Sequence, residues 1–194
     1  MGARDVILDA AATVMAERGL ANVTTRQIAQ AAGFTEAALY KHFANKADLL
    51  VAVMRERSPG FSQLARALDG RAGTGTLVDN LTAVARAAIA FYGEGFPMLA
   101  SMFADPATLA AHKEELRQQG AGPHKANEAV AAYLRAEQEL GRLRAEADVR
   151  AAAGLLLGAC FQYAFLSHMS PSGDRDDGEA AASFARTLLQ ELAS

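Results

Sequence analysis

The residues with a readable chemistry lie together at 24–49, TTRQIAQAAGFTEAALYKHFANKADL. Lys41 and Lys46 bring cationic donors, and Tyr40 and His42 bring neutral ones. Donors of both kinds in one short stretch suit a polyanion, because phosphate oxygens accept from hydroxyl, imidazole and ammonium groups alike. Catalysis has no comparable candidate: the chain shows no Gly-rich phosphate loop, Gly-x-Ser-x-Gly elbow or His-Asp-Ser set. His112 and Glu115 stand one turn apart, but a single His-x-x-Glu pair supplies too few metal ligands and no cysteine joins it. Asp174, Asp176 and Asp177 look like the start of a calcium loop, yet Ala185 stands where the bidentate Glu is needed. No metal and no cofactor is expected.

The donors are positioned by two short helices. Thr24 is an N-cap and Gln27, three residues on, can reach back to its N–H, so a capping box starts a helix near Thr25. Ile28, Ala29 and Ala32 then share a face, Arg26, Gln27 and Gln30 lie outside, and Gly33 supplies the left-handed residue that ends the helix. Thr35 caps a second helix two residues later, with Leu39 and Phe43 inward and Glu36, Ala37, Lys41 and His42 outward. A turn this tight makes the helices cross steeply, with small residues, Ala29 and Gly33, at the crossing. The start of the second helix projects free N–H groups and a positive dipole end, which a groove lined by phosphates rewards. Asn45 caps the next helix with Asp48 at its N3 position, fixing Lys46 at another N-terminus.

The patterns Thr-x-Arg-x-Ile-Ala-x-x-Ala-Gly and Leu-Tyr-x-His-Phe-x-Asn-Lys-x-x-Leu, as they stand at 24–49, resemble the DNA-binding domain of TetR-type transcriptional regulators. The resemblance is specific over the first quarter of the chain. It implies phosphate contacts from Thr25, Tyr40, His42 and Lys46, with Arg26, Glu36, Ala37, Ala38 and Lys41 near base edges. Glu36 departs mildly from that pattern: a carboxylate repels phosphate but accepts from a cytosine amino group, so it would select sequence while lowering general affinity.

Of the 194 residues, 51% are hydrophobic, enough for a sizeable core. Alanine is abundant, aromatics are few and no stretch alternates apolar with polar for long, which favours an all-α fold. The net charge of −3 divides unevenly: residues 1–57 hold seven Lys and Arg against six Asp and Glu, and the remainder twelve against sixteen. The acidic part is the part that need not touch DNA. A single cysteine, Cys160, permits no internal disulfide and suits a reducing cytoplasm. Asp5 and Asp9 interrupt the first apolar run, against a signal peptide, and the longest uncharged apolar segment, 151–166, is about 16 residues, too short to span a membrane. A cytoplasmic protein without a membrane partner is expected.

The first helix should run over Ala3–Arg18, burying Val6, Ala10, Val14 and Met15 and ending at Gly19 with Leu20 folded back on Met15. The helix from Asn45 carries Leu49, Leu50, Val53 and Met54 to Ser58-Pro59-Gly60, where proline forces a kink before Phe61, Leu64 and Leu68 resume the stripe. GRAGTG at 70–75 reads as a flexible joint, and helical runs follow at 77–92, 97–103, 106–118, 123–140, 146–168 and 179–192. The expected division is a three-helix, helix-turn-helix DNA-binding domain at 1–46 and a helical-bundle ligand-binding and dimerisation domain at 47–194.

The helix over 147–168 is apolar around nearly its whole circumference, so it must be covered twice. Gly154 and Gly158 within it allow a second helix to approach closely, and the last helix adds a stripe at Ala181, Phe184, Leu188 and Leu192. Paired across a two-fold axis, these helices give a four-helix homodimer interface using Gly154, Gly158, Phe184, Leu188 and Leu192. Phe91, Tyr92, Phe96, Met98, Met102, Phe103, Tyr133, Phe161, Tyr163 and Phe165 concentrate aromatic and thioether groups in the middle helices. As a group they suggest a lipophilic ligand, with Tyr92, Tyr133, Gln162, Tyr163 or His112 as polar anchors; singly, each is explained by packing. The function expected is a homodimeric repressor of double-stranded operator DNA released by a lipophilic inducer. The alternatives are a constitutive DNA-binding dimer and a helical enzyme using His112, Tyr133 and His168.

Overall fold

A computed structural model describes residues 2–18, 23–57, 67–118, 120, 122–170 and 176–192, without the side chains of residues 16, 54, 55, 97, 98 and 101. Every regular element among the described residues is an α-helix: α1 (Ala3–Arg18), α2 (Thr25–Ala32), α3 (Glu36–Leu39), α4 (Lys46–Arg57), α5 (Leu77–Ala104), α6 (Pro106–Gln118), α7 (His124–Glu139), α8 (Val149–Met169) and α9 (Asp177–Leu192). The chain divides into two compact units, Met1–Ser58 with Gly95–Ala121, and Pro59–Glu94 with Gly122–Ser194. The expected closure at Gly19 and Leu20, the kink at 58–60, Phe61, Leu64, Asp174 and the side chains of Met54 and Met98 lie outside the described residues.

In the first unit α1 buries Ile7, Leu8, Ala11, Val14 and Met15, while Val6 and Ala10 are only half-buried. The true stripe repeats at i, i+1, i+4, i+7 and i+8, one position round from the one expected. Ion pairs between part-exposed groups join α1 to α4: Arg4 reaches both oxygens of Glu56 at 2.7 and 2.8 Å, and Arg57 reaches Asp9 at 2.6 Å. α4 buries five consecutive residues, Leu49 to Val53, because α1 packs on it from one side and α6 from another. That double burial carries the compact unit past residue 46, where the sequence placed the domain boundary. Asp105 starts α6, accepting from the Thr108 hydroxyl at 2.8 Å and from Ala107 N at 3.1 Å, and the Thr108 bond holds its carboxyl below the usual range.

Two expectations are corrected between residues 70 and 104. The runs 77–92 and 97–103 are one continuous helix, α5, although Pro97 stands inside it. Proline has no N–H to give the Gly93 carbonyl four residues back. His168 Nε2, on α8, sits 2.8 Å from that carbonyl and supplies the missing hydrogen bond. The GRAGTG segment is likewise no flexible joint. Glu137 Oε1 accepts from Gly73 N at 3.2 Å, and Arg142 donates to Gly75 O at 2.8 Å while its other nitrogen lies 3.2 Å from Glu137 Oε2. Asn80 donates to Thr74 O at 2.8 Å and to the Tyr133 hydroxyl at 3.1 Å. Gly73, at φ 75°, is in the left-handed region, and a Cβ there would come within 3.0 Å of Leu140.

α8 packs one face into the core through Val149, Ala152, Ala153, Leu156, Leu157, Cys160 and Ala164. Burial pushes the Cys160 thiol up to about 12, which makes it a packing group rather than a nucleophile. At 21 residues α8 is, by length and composition, apolar enough to cross a membrane, which corrects the shorter segment read from the sequence. A core helix has the same composition, and α8 packs against both α7 and α9.

Candidate nucleic-acid interface

The local chemistry at 24–49 folds as its spacing requires. Thr24 Oγ1 accepts from Gln27 N at 3.2 Å, Gln27 returns a carboxamide oxygen to Thr24 N at 2.9 Å, and Gly33 ends α2 at φ 73°. Thr35 Oγ1 accepts from Ala38 N at 3.2 Å and starts α3, whose Leu39 is buried, as is Phe43 beyond it. Asn45 Oδ1 accepts from Asp48 N at 2.9 Å, but Asp48 answers at Ala44 N (2.8 Å) instead of at Asn45, so this capping box is displaced by one residue.

Arg26, Glu36, Ala37, Tyr40, Lys41 and His42 are exposed, and Ala38 and Lys46 are half-buried. Thr25 is different, at 9% exposure. Its hydroxyl donates to Glu36 Oε1, and the Tyr40 hydroxyl donates to Thr25 Oγ1 at 3.4 Å. The fold thus joins three of the proposed contacts to one another. Arg4, absent from the sequence reading, places its guanidinium 5.4 Å from the centre of the Phe43 ring while gripping Glu56. Its pairing bridges distant parts of the chain and leaves no signature in local spacing.

The proposed ligand contacts do not all share a unit. Phe91, Tyr92, Tyr133, Phe161, Gln162 and Phe165 belong to the second, and Phe96, Met102, Phe103 and His112 to the first. Tyr92 lies 5.2 Å from Phe91 and meets Phe161 edge-on at 5.3 Å. Tyr133 is buried, burial pushes its phenol up to about 12, and it borders a cavity of about 320 Å³ with Leu68, Asp69 and Ala129. Met102 is buried with Leu99 and Leu109 packed against it in the first unit's core, and Phe103 is 65% exposed. A cavity of about 280 Å³ between α4 and α6 is lined by Asn45, Ala47, Asp48, Val51, Ala107, Ala111 and Glu115, none of them a proposed contact. Of the residues of the enzyme alternative, Tyr133 is bonded to Asn80 and His168 to the Gly93 carbonyl.

His112 Nδ1 is buried without a hydrogen-bond partner among the described residues, and burial holds the imidazole below its ordinary value against the opposing pull of Glu115. Above the ordinary value both folded and unfolded forms are neutral. Below it the unfolded chain takes the proton first, so stability should fall as pH drops through about 6.5. Melting curves between about pH 7.5 and 5.5 should show His112→Gln losing less Tm than wild type, and parallel losses would remove His112 as the cause.

On α8, Gly154 and Gly158 are exposed, and among the described residues outside their own stretch of helix nothing lies within 4 Å of a Cβ built at either. They share that face with Leu155, 68% exposed, and with Phe161, Leu166 and Met169, all exposed. Phe184 and Leu188 are half-buried against the unit's own core, where Phe184 meets Tyr163 edge-on at 6.0 Å. Leu192 is 5% exposed and belongs to that core.

Comparison with known proteins places this geometry. Residues 7–53 match the family model for bacterial regulatory proteins of the tetR family, and residues 77–190 match that for the C-terminal domain of AefR-like transcriptional repressors. The transcriptional repressor KstR2 of Rhodococcus jostii is 46% identical over 54 residues, covering 28% of this chain and 26% of that protein. That match therefore spans only about a quarter of the relative's length. A TetR-family regulator from Mesorhizobium loti superposes with a TM-score of 0.81 at 17% identity, over 99% of this chain and 97% of the other, a likeness of fold. SmeT, the repressor of a Stenotrophomonas maltophilia multidrug efflux pump, superposes in its triclosan complex with a TM-score of 0.70 at 25% identity, over 100% of this chain and 93% of the other. With the two models together matching most of its length, the chain belongs to the TetR family of bacterial regulatory proteins.

Proposed function

We propose that the protein is a cytoplasmic, homodimeric repressor that binds a palindromic operator in double-stranded DNA and is released from it by a lipophilic small molecule. Residues 1–46 would read the DNA, and 47–194 would bind the ligand and the second subunit. The observation that carries the DNA reading is the exposure of Arg26, Lys41 and His42 around the capped start of α3, with Lys46 at the start of α4. Phosphates would be met by Thr25, Tyr40, His42 and Lys46, and base edges by Arg26, Glu36, Ala37, Ala38 and Lys41. The dimer reading is supported by the exposed apolar face of α8, and the ligand reading by the Phe91, Tyr92 and Phe161 cluster and by the triclosan held by SmeT. A ligand acts by preferring one of two dimer states that differ in half-site spacing, which is about 34 Å on the operator. A constitutive dimer without an inducer is the second reading.

Retardation of duplexes from the promoter region upstream of its own gene tests the reading, and no retardation would count against it. Lys46→Ala should weaken binding to all sequences alike and reduce the slope of log K against log salt by about one. An unchanged slope would take Lys46 out of the interface.

A further inference from the structure

A hydroxyl group carries one proton, and at the start of the proposed DNA-reading helix two such protons run in series toward one carboxylate. Tyr40 donates to Thr25, and Thr25 donates to Glu36 Oε1. Both hydroxyls proposed for phosphate are therefore committed inside the protein. Thr25 is buried although its neighbours Thr24 and Arg26 are exposed, and its one hydroxyl hydrogen is held by Glu36.

We propose that Thr25 and Glu36 form a latch, braced by Tyr40, that makes phosphate binding by the Thr25 hydroxyl conditional on the base facing Glu36; this rests on the DNA-reading function above. Where the base offers an amino donor in the major groove, as cytosine and adenine do, the carboxylate exchanges its bond from Thr25 for one from the base. The Thr25 hydroxyl is then free to donate to a phosphate oxygen, while its oxygen goes on accepting from Tyr40. Where the base presents only acceptors, as thymine and guanine do, the carboxylate is repelled and keeps Thr25. Base readout and backbone grip are thereby coupled in one exchange. A wrong base loses two interactions for the price of one.

The test uses the full-length protein and two duplexes. One is selected from a randomised pool; the other has the base pair replaced at the position where Glu36→Ala loses its preference. Thr25→Val removes the hydroxyl at nearly constant volume. It should weaken binding to the selected duplex about fivefold and to the replaced duplex less than about twofold. In a Glu36→Ala background the same change should weaken both duplexes equally, because the hydroxyl is no longer held. Tyr40→Phe, at an exposed side chain that bears little on folding, should follow the same pattern with smaller losses. A Thr25→Val loss that is equal on both duplexes while Glu36 is present, or a Tyr40→Phe loss that ignores the base, would overturn the latch and leave the DNA reading intact. Failure of wild type to bind any duplex selectively would overturn both.

Discussion

Glu137→Ala is expected to destabilise the protein by about 2–4 kcal/mol and to open the GRAGTG segment to proteolysis. The carboxylate is 0% exposed, and it accepts from Gly73 N while lying 3.2 Å from Arg142 Nη1. Removing it takes the acceptor from the Gly73 amide, which water partly replaces because Gly73 is exposed, and leaves a guanidinium without its counter-charge, at about 1–3 kcal/mol or more together. The Arg142 side chain is 29% exposed, so water takes up part of that charge and the loss stays below that of a fully buried pair. Glu137→Gln keeps an acceptor for Gly73 and should lose less. Denaturant unfolding gives the energies, and limited trypsin digestion reports the loop, because Arg71 lies inside it. A loss under about 1 kcal/mol with cleavage after Arg71 unchanged would show that something other than Glu137 holds the segment.

Gly158→Leu should abolish stable dimers at micromolar concentration without weakening the subunit. Among the described residues outside its own stretch of helix, nothing lies within 4 Å of a Cβ at position 158, so a larger side chain starts into open space. Replacing glycine inside a helix should even favour α8 by up to about 1 kcal/mol. Between subunits the balance reverses, because helices that approach through glycine are separated by a branched side chain at the contact. Operator binding should fall with the dimer, since one half-site alone holds a monomer weakly. Sedimentation separates the two effects: a monomer with wild-type melting behaviour is expected. A tight dimer that still binds the operator would place the interface elsewhere on the exposed face shared by Leu155 and Leu166.

The sequence by itself determined the features whose hydrogen bonds close within a few residues. The Thr24 and Gln27 capping box, the left-handed Gly33 and the Thr35 cap depend only on spacing and residue type, and they fix where Arg26, Lys41 and His42 emerge. The apolar circumference of α8 was equally plain, and the fold buries one face of it and leaves the other open. What only the tertiary structure decided are the pairings across long stretches of chain. GRAGTG looked flexible because its anchor is 64 residues away in Glu137, and Pro97 looked like a break because the bond it cannot make is replaced by His168. Met102 and Leu192 are each buried in their own unit's core by neighbours from other helices, which the periodicity of one helix does not name. Thr25 and Glu36 were each readable as DNA contacts, and folding joined them through one hydroxyl proton. Local periodicity sets which face of a helix is apolar, whereas the partner that covers that face, or takes up a stray carbonyl, is chosen by three-dimensional packing.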